Sequence, residues 1–329
     1  MTIDAITKTD GEKSMSATRG QLKGTKTGFL IVILLFIVSG CSAKHMAVDQ
    51  IATMVDTGMA AFEADDDMEM LKTAFPGNIK LLEAMLVNQP DNYKMHVLLA
   101  RLYGSYAFAF PETEMEVAVL ADDEEETGPD PAVLRATADR YYQRGAAYAL
   151  RALELEYPGI SEKLKDKDLG PESIRNIQAT DIPALFWYGF NLGAHINLNK
   201  NSVRALAQAH LAVKAMQRVI DLEPAYYHGG AHLFFMVWYG SRSPMMGGSQ
   251  EKAKEHYQAA QAIAGNELLL ADLYYARFYL YQAGEREAFL EVLEQVVASK
   301  DKMPELRMLN AVAAARAAAY LGVVDEFFD

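Results

Sequence analysis

The residues best suited to chemistry are histidines in the second half of the chain. His228 and His232 are four residues apart, a spacing at which two imidazoles on one helix face can bind zinc. Gly229 stands where the zinc hydrolase motif HExxH has its glutamate base, and the single cysteine of the chain is Cys41. Both histidines are therefore expected to make polar contacts, and no metal site is predicted.

The sequence also lacks the residue sets of common catalytic sites. No serine, histidine and acid accompany a strained nucleophile turn, and the glycines at 247 and 248 are not followed by the lysine of a phosphate-binding loop. His195 and Asn197 lie among aromatic residues, where hydrogen bonds that orient a loop or a ligand are expected rather than general-base catalysis. We predict that the chain is not an enzyme and requires no cofactor.

Two blocks of aromatic residues, at 186–188 and 234–239, indicate a binding surface. Such residues at helical spacing often pack between helices, but they can also line an apolar groove or channel. Arg242 is the candidate partner for a carboxylate, because a guanidinium can donate to both oxygens. The expected ligand is a small apolar molecule with a carboxylate. The candidate ligand- or partner-binding residues are Phe186, Trp187, Tyr188, His195, Asn197, His228, His232, Trp238, Tyr239 and Arg242.

Helices must position these side chains, and the stretch 223–263 indicates how they are arranged. Pro224 suits a first helical turn, residues 243–248 break the helix, and Ser249 caps the next one. Small residues that face large aromatic ones across an antiparallel helix pair are typical of tetratricopeptide repeats. One pair cannot bury its apolar face alone. The chain is therefore predicted to be all-α, a tetratricopeptide-like array of antiparallel helix pairs (an α-solenoid) without a sheet.

The predicted helices 184–198 and 226–239 are separated by one helix, Val203 to Leu222. They would be equivalent elements of consecutive repeats, so their matching faces are expected to line one groove. In the helix between them, Leu206, Ala209, Val213, Met216 and Ile220 recur at 3–4 spacing. Leu206, Val213, Met216 and Ile220 are expected to be buried. Residues 111–131 contain an acidic run at 122–126 and are predicted to form an exposed connection.

The N-terminus has the pattern of a bacterial lipoprotein. Basic residues precede an apolar run, Phe29 to Val38, and small residues lead to Cys41. Residues 1–40 are predicted to be a signal peptide and 41–329 a single helical-repeat domain anchored by lipid on Cys41. A transmembrane anchor is the alternative, but the run is shorter than the ~20 residues that span a bilayer. Ser42 is not an acidic retention signal, so the periplasmic side of the outer membrane is the expected location.

The charge of the chain excludes one class of partner. The net charge is −13, and residues 1–40 contain five Lys and Arg against three Asp and Glu, so residues 41–329 carry −15. Nucleic acid requires a basic face to neutralise its phosphates. We therefore expect no nucleic-acid partner.

Several motifs resemble those of one known family, the TRAP-transporter T-component proteins, also called TatT. The resemblance is densest between residues 186 and 260 and extends from about 79 to 293. The matching motifs are Phe186-Trp187-Tyr188-Gly189, Ala194-His195-Ile196-Asn197, Tyr227-His228-Gly229-Gly230-Ala231-His232, Arg242-Ser243-Pro244, Gly247-Gly248 and Lys252-Ala253. Leu192-Gly193 departs from the family pattern, in which Trp-Gly is expected.

The resemblance implies a periplasmic tetratricopeptide lipoprotein that docks the solute-binding subunit of a TRAP transporter. It also suggests a trimer with channels lined by apolar side chains. The alternative function is a generic tetratricopeptide scaffold of the cell envelope that binds other proteins.

Overall fold

A computed structural model of the chain describes residues 50–121, 128–166 and 174–328. These residues form helices and connections without a strand, which confirms the all-α prediction. The helices are α1 (50–63), α2 (Met68–Leu86), α3 (Tyr93–Ala107), α4 (Thr113–Ala121), α5 (Pro131–Glu156), α6 (Ile160–Lys165), α7 (Ile182–Leu198), α8 (Val203–Leu206), α9 (Ala209–Leu222), α10 (Tyr226–Gly240), α11 (Gln250–Ile263), α12 (Leu269–Tyr275), α13 (Tyr281–Ala283), α14 (Arg286–Ala298), α15 (Arg307–Gly322) and α16 (Val324–Phe328). Two π-helical segments, Phe108–Glu112 and Ala276–Leu280, extend α3 and α12.

Residues 52–329 form one unit in which helices pack successively, α3 on α5, α5 on α7, and α7 on α9. Further along the chain, α10 packs on α11 and α14 on α15. Ala231, Ala253 and Ala260 are fully buried in the α10–α11 pair beside Phe235, as the pattern of small and aromatic residues predicts. The structure is thus a helical array in which α7 packs against α3, α5, α9 and α10.

Helices α3, α5 and α7 meet around a buried amide. The Nδ2 atom of Asn191 donates to the backbone oxygens of Ala100 (3.1 Å) and Trp187 (2.7 Å). A Cβ atom at Gly104 or Gly145 would lie 2.7 or 2.4 Å from the Asn191 Oδ1 atom. The two glycines therefore allow three helices to approach closely around one polar side chain, which holds α7 in place.

The predicted helix 203–222 is broken at residues 207–208, and its buried stripe is wrong in part. Met216 is fully buried, but Val213 and Ile220 are only partly buried and Leu206 is 39% exposed. The short helix α8 begins at the Ser202 cap and ends after one turn. Helix α9 then begins at Ala209, rotated about its axis relative to an uninterrupted helix over 203–222, so that a different set of side chains faces the core. The face of α9 that packs on the core consists of Leu211, Ala212, Ala215, Met216 and Val219.

The expectation of an exposed connection at 111–131 is wrong for its first half. Pro111, Glu112 and Thr113 are buried, and α4 follows them. The reason is a contact distant in sequence, because Arg316 of α15 pairs with the acids of this segment. Residues 122–127, which include the acidic run, lie outside the described residues.

The predicted signal peptide and the predicted lipidation site, Cys41, also lie outside the described residues. Within the part of the chain that the structure describes, none of the helices has the length and apolar character required to cross a membrane.

Candidate functional site

A cavity of about 380 Å³ lies among α5, α7, α10, α12 and α15. Its volume is within the range of about 300–1,000 Å³ that is usual for small-molecule sites. Most of its wall is aromatic and aliphatic. The aromatic lining residues are Phe108, Tyr142, Phe186, Trp187, Phe190, Tyr227, Phe234, Trp238 and Tyr274. The exposed lining residues, which we call the mouth, are Asn197, Lys200, Leu206, Ser243 and Met246.

Six of the ten residues predicted for the ligand or partner line this cavity, namely Phe186, Trp187, Asn197, His228, Trp238 and Arg242. Phe186 and Trp187 are each only 1% exposed, and their rings pack edge to face at 5.1 Å. These two residues therefore belong to the helical core and to the cavity wall at the same time. Their burial agrees with the packing interpretation of the aromatic blocks, and a role in binding stays a prediction.

The remaining four residues lie elsewhere. Tyr188 is buried in the packing of α7, and Tyr239 stacks on His256 of α11. The His195 Nδ1 atom lies 2.6 Å from the Asp139 Oδ1 atom of α5, so this histidine connects two helices.

His232 pairs with another histidine rather than with His228. The Nδ1 atoms of His232 and His256 are 2.9 Å apart, so one ring donates and the other accepts. Burial lowers the pKa of both, to about 4 for His256, where the charges of His232 and Lys252 lower it further. The pair connects α10 to α11.

The separation of His228 from His232 arises from an unexpected turn. Tyr227, His228 and Gly229 have φ values of 47°, 55° and 76°, so all three are left-handed and interrupt the start of α10. The two histidines therefore do not share a helix face. A left-handed residue other than glycine costs roughly 1–2 kcal/mol, so neighbouring contacts must stabilise this turn.

A buried polar network provides that stabilisation. The Tyr227 hydroxyl donates to the Glu63 Oε1 atom at 2.9 Å, and an Arg101 Nη2 atom donates to the same oxygen at 2.7 Å. The ring of Tyr227 packs against Phe186 and Trp187 at 5.4 and 5.1 Å. Helix α1 thus fixes a residue of the cavity wall through Glu63.

Two glycines make room for the aromatic wall. A Cβ atom at Gly193 would lie 2.6 Å from the ring of Phe234, and one at Gly230 would lie 2.8 Å from that of Phe186. Gly193 belongs to the Leu-Gly pair that departs from the family pattern, and its lack of a side chain serves the cavity directly.

Arg242 lies beside the mouth in an unusual environment. Its guanidinium stacks 3.3 Å from the ring centre of Trp238, and its Nη1 atom donates to the Trp238 oxygen at 2.8 Å. Burial lowers its pKa. Lys200, in the turn after α7, lines the same cavity. The residue as a whole is exposed, but desolvation of its ammonium at the cavity wall and the charges of Arg277 and Arg242 lower its pKa.

A buried acid forms another part of the lining. Glu112 accepts a hydrogen bond from Tyr142, and its Oε1 atom lies 3.6 Å from the Nη1 atom of Arg316. The same Nη1 atom lies 2.9 Å from Glu116, and the Arg316 Nε atom donates to Thr113 at 3.0 Å. Burial raises the pKa of Glu112, while Arg316 opposes that shift. This cluster fixes α15 against the π-helical segment and gives the cavity a polar wall.

Sequence reasoning did not identify Lys200 or Glu112. Lys200 stands between two asparagines in what reads as a surface turn, and Glu112 was assigned to an exposed connection. The cation that pairs with Glu112 is about 200 residues away in the chain, and the sequence contains no local signal of that pairing.

The arrangement is suited to binding a small molecule. Within the described ranges, no group of three or more His, Cys, Asp or Glu side chains is placed to bind a metal ion. The cavity instead combines an apolar aromatic wall with cations near its mouth and a buried acid. These features can hold an apolar molecule and orient its polar end.

Known proteins with similar sequences include one family and one bacterial relative. The family model described as "TRAP transporter T-component" matches residues 64–328, which is more than half of the chain. A relative from Treponema pallidum (strain Nichols), described as an uncharacterized protein, is 25% identical over 309 residues. That alignment covers 89% of this chain and 94% of the relative.

Proposed function

We propose, from the premise that this chain belongs to the TRAP transporter T-component family, that it docks the solute-binding subunit of its transport system and holds an apolar carboxylate ligand. Membership makes the chain an envelope-associated accessory of a TRAP (tripartite ATP-independent periplasmic) transport system, and the family is one of transport accessories rather than enzymes. The docking and the ligand go beyond membership.

The observation that carries the ligand proposal is the aromatic cavity with a guanidinium beside its mouth. Arg242 is held by Trp238 through stacking and through one hydrogen bond to a backbone oxygen. Its other N–H groups have no hydrogen-bond partner among the described residues, so they can donate to a carboxylate of the ligand. The apolar part of the ligand would replace water against the aromatic wall.

The location and assembly are proposed from sequence. A lipid on Cys41 would hold residues 42–329 on the periplasmic side of the envelope, with the outer membrane as the expected site. The resemblance to the family suggests a trimer, which sedimentation of residues 42–329 would measure as a mass three times that of the chain. A monomer at all accessible concentrations would refute the trimer.

The docking is tested by affinity purification of the full-length chain, tagged at its C-terminus, from envelopes after mild crosslinking. We expect the TRAP solute-binding subunit to be recovered in near-stoichiometric amount and to be lost from a mock purification. Recovery of several unrelated envelope proteins without that subunit would instead indicate the generic scaffold function.

The cavity is tested by Arg242→Ala, compared with Trp187→Ala. Arg242 is partly exposed, so its replacement should weaken ligand binding without unfolding the protein. Trp187 is buried, and its replacement should lower the free energy of unfolding by about 3–5 kcal/mol as well as reshape the cavity. Normal ligand affinity in Arg242→Ala would refute the assigned role of the guanidinium.

A further inference from the structure

Two cations line or adjoin the cavity mouth without an acidic partner. Neither Lys200 nor Arg242 forms an ion pair within the ranges that the structure describes. The buried Arg316, by contrast, lies 2.9 Å from Glu116 and 3.6 Å from Glu112. The carboxylate in the cavity lining, Glu112, is already engaged by Tyr142 and Arg316. In a chain with a net charge of −13, two cations that this acid leaves unpaired indicate that an anion from outside the chain completes the site.

The surroundings of Lys200 strengthen this conclusion. The charged groups that act on its ammonium are Arg277 and Arg242, which are positive, and Glu116, which is negative. Glu116 already forms an ion pair with Arg316 at 2.9 Å. Two of the three charges that act on the Lys200 ammonium are therefore positive, and a bound anion would relieve the repulsion among these cations.

The mouth and the inner wall of the cavity differ in solvent exposure, which determines how an amphipathic ligand would be oriented. The mouth residues are exposed, whereas Phe186, Trp187 and Tyr142 of the inner wall are each at most 1% exposed. A charged group is less costly to bind near water, and an apolar body is stabilised most by the buried wall. An amphipathic molecule would consequently enter with its apolar body first.

We propose that Lys200, together with Arg242, binds the charged group of an amphipathic organic anion at the mouth, with the apolar body against the inner aromatic wall. Lys200 would thus be a specificity-determining residue that selects anions over uncharged molecules of the same shape. The inference rests on the proposed function, since it assigns a head-group site to the same cavity.

The chain contains a suitable reporter for this test. Its only two tryptophans, Trp187 and Trp238, both line the cavity. Energy transfer from tryptophan to a dye therefore reports binding in or near the cavity. The two probes are 1-anilinonaphthalene-8-sulfonate and N-phenyl-1-naphthylamine, which share one aromatic body and differ by the sulfonate.

The titration uses residues 42–329 as wild type, Lys200→Gln, Lys200→Arg and the control Lys300→Gln, an exposed lysine outside the cavity lining. We expect Lys200→Gln to raise the Kd of the sulfonate dye about tenfold, because the variant loses one charge-assisted hydrogen bond to the sulfonate. The Kd of the uncharged dye should stay within about twofold, and Lys200→Arg should restore most of the affinity for the anion.

Each other outcome overturns a defined part of the account. If Lys200→Gln binds the sulfonate dye as the wild type does, or if Lys300→Gln weakens it equally, the head-group site is wrong although the cavity can still bind apolar molecules. If both dyes weaken equally in Lys200→Gln, the lysine acts on cavity shape and the selectivity is refuted. If the wild type binds neither dye, the ligand-binding part of the proposed function fails and this inference fails with it.

Discussion

Replacing the buried guanidinium of Arg316 with the apolar side chain of methionine should strongly destabilise the fold. Arg316 is 3% exposed and lies within 4 Å of two acids, and it also donates to Thr113 and to the backbone oxygen of Phe108. Removing one partner of a buried ion pair leaves an uncompensated charge and costs about 3–5 kcal/mol. We therefore expect Arg316→Met to lower the free energy of unfolding by that amount.

The destabilisation should grow with pH. Burial already raises the pKa of Glu112, and Arg316 opposes the shift, so the variant should raise it further. A carboxyl whose pKa is raised in the folded state contributes stability that is complete below its unfolded pKa and is lost as pH rises through the folded pKa. The difference between variant and wild type should consequently be smaller at pH 5 than at pH 8.

The assay is urea unfolding of residues 42–329 at both pH values, with circular dichroism as the measure of the folded fraction. Arg286→Met is the matched control, because Arg286 pairs at 2.5 Å with Asp325 near the surface, where the two side chains are 40% and 78% exposed. Loss of this ion pair should lower the free energy of unfolding by less than about 1 kcal/mol. If Arg316→Met were as stable as the control, or if its deficit shrank at higher pH, the buried ion cluster would not stabilise the fold as described.

Three further predictions concern the anchor, the left-handed turn and the core. Cys41→Ala should release the protein from membranes or block its maturation, and unchanged membrane association and mass would refute the lipid anchor. Tyr227→Phe removes the hydroxyl that donates to Glu63 and should cost about 1–2 kcal/mol in urea unfolding; an unchanged midpoint would show that the hydroxyl does not stabilise the turn. Met216→Asp should destabilise far more than Val213→Asp, because Met216 is fully buried and Val213 is not, and the reverse order of melting temperatures would contradict the described phase of α9.

The sequence was sufficient for the fold class because the relevant signals are local. Ser202 and Ser249 cap helices by accepting backbone N–H groups, and alanines that face aromatic residues are typical of closely packed helix pairs. These patterns act within one or two helical turns. They therefore remain readable without the tertiary structure.

The rotational phase of α9 was not readable in the same way. Two overlapping apolar stripes exist between 203 and 222, and the break at 207–208 decides which stripe faces the core. The left-handed turn at Tyr227 is similar, because contacts from Glu63 and from α7 stabilise it against its local preference. Tertiary contacts override local propensity in both places.

The candidate site was predicted only in part for a related reason. Three aromatic residues of the cavity lining, Phe186, Trp187 and Trp238, were predicted together with Arg242 because their types are unusual in themselves. Lys200 and Glu112 have ordinary types in polar segments, and only the packing of distant helices gives them a role. Their position in the cavity lining therefore follows from the tertiary structure and not from the local sequence.

A calorimetric titration of residues 42–329 with the TRAP solute-binding subunit of the same cell tests the central claim most directly. We predict saturable binding with a defined stoichiometry per chain and a Kd of about 1–100 µM, the range of a transient complex of standard size. The wild type and Arg242→Ala should be compared with and without a saturating organic anion. If the two proteins at about 100 µM each gave no binding heat and did not migrate together in gel filtration, the proposed docking would be contradicted.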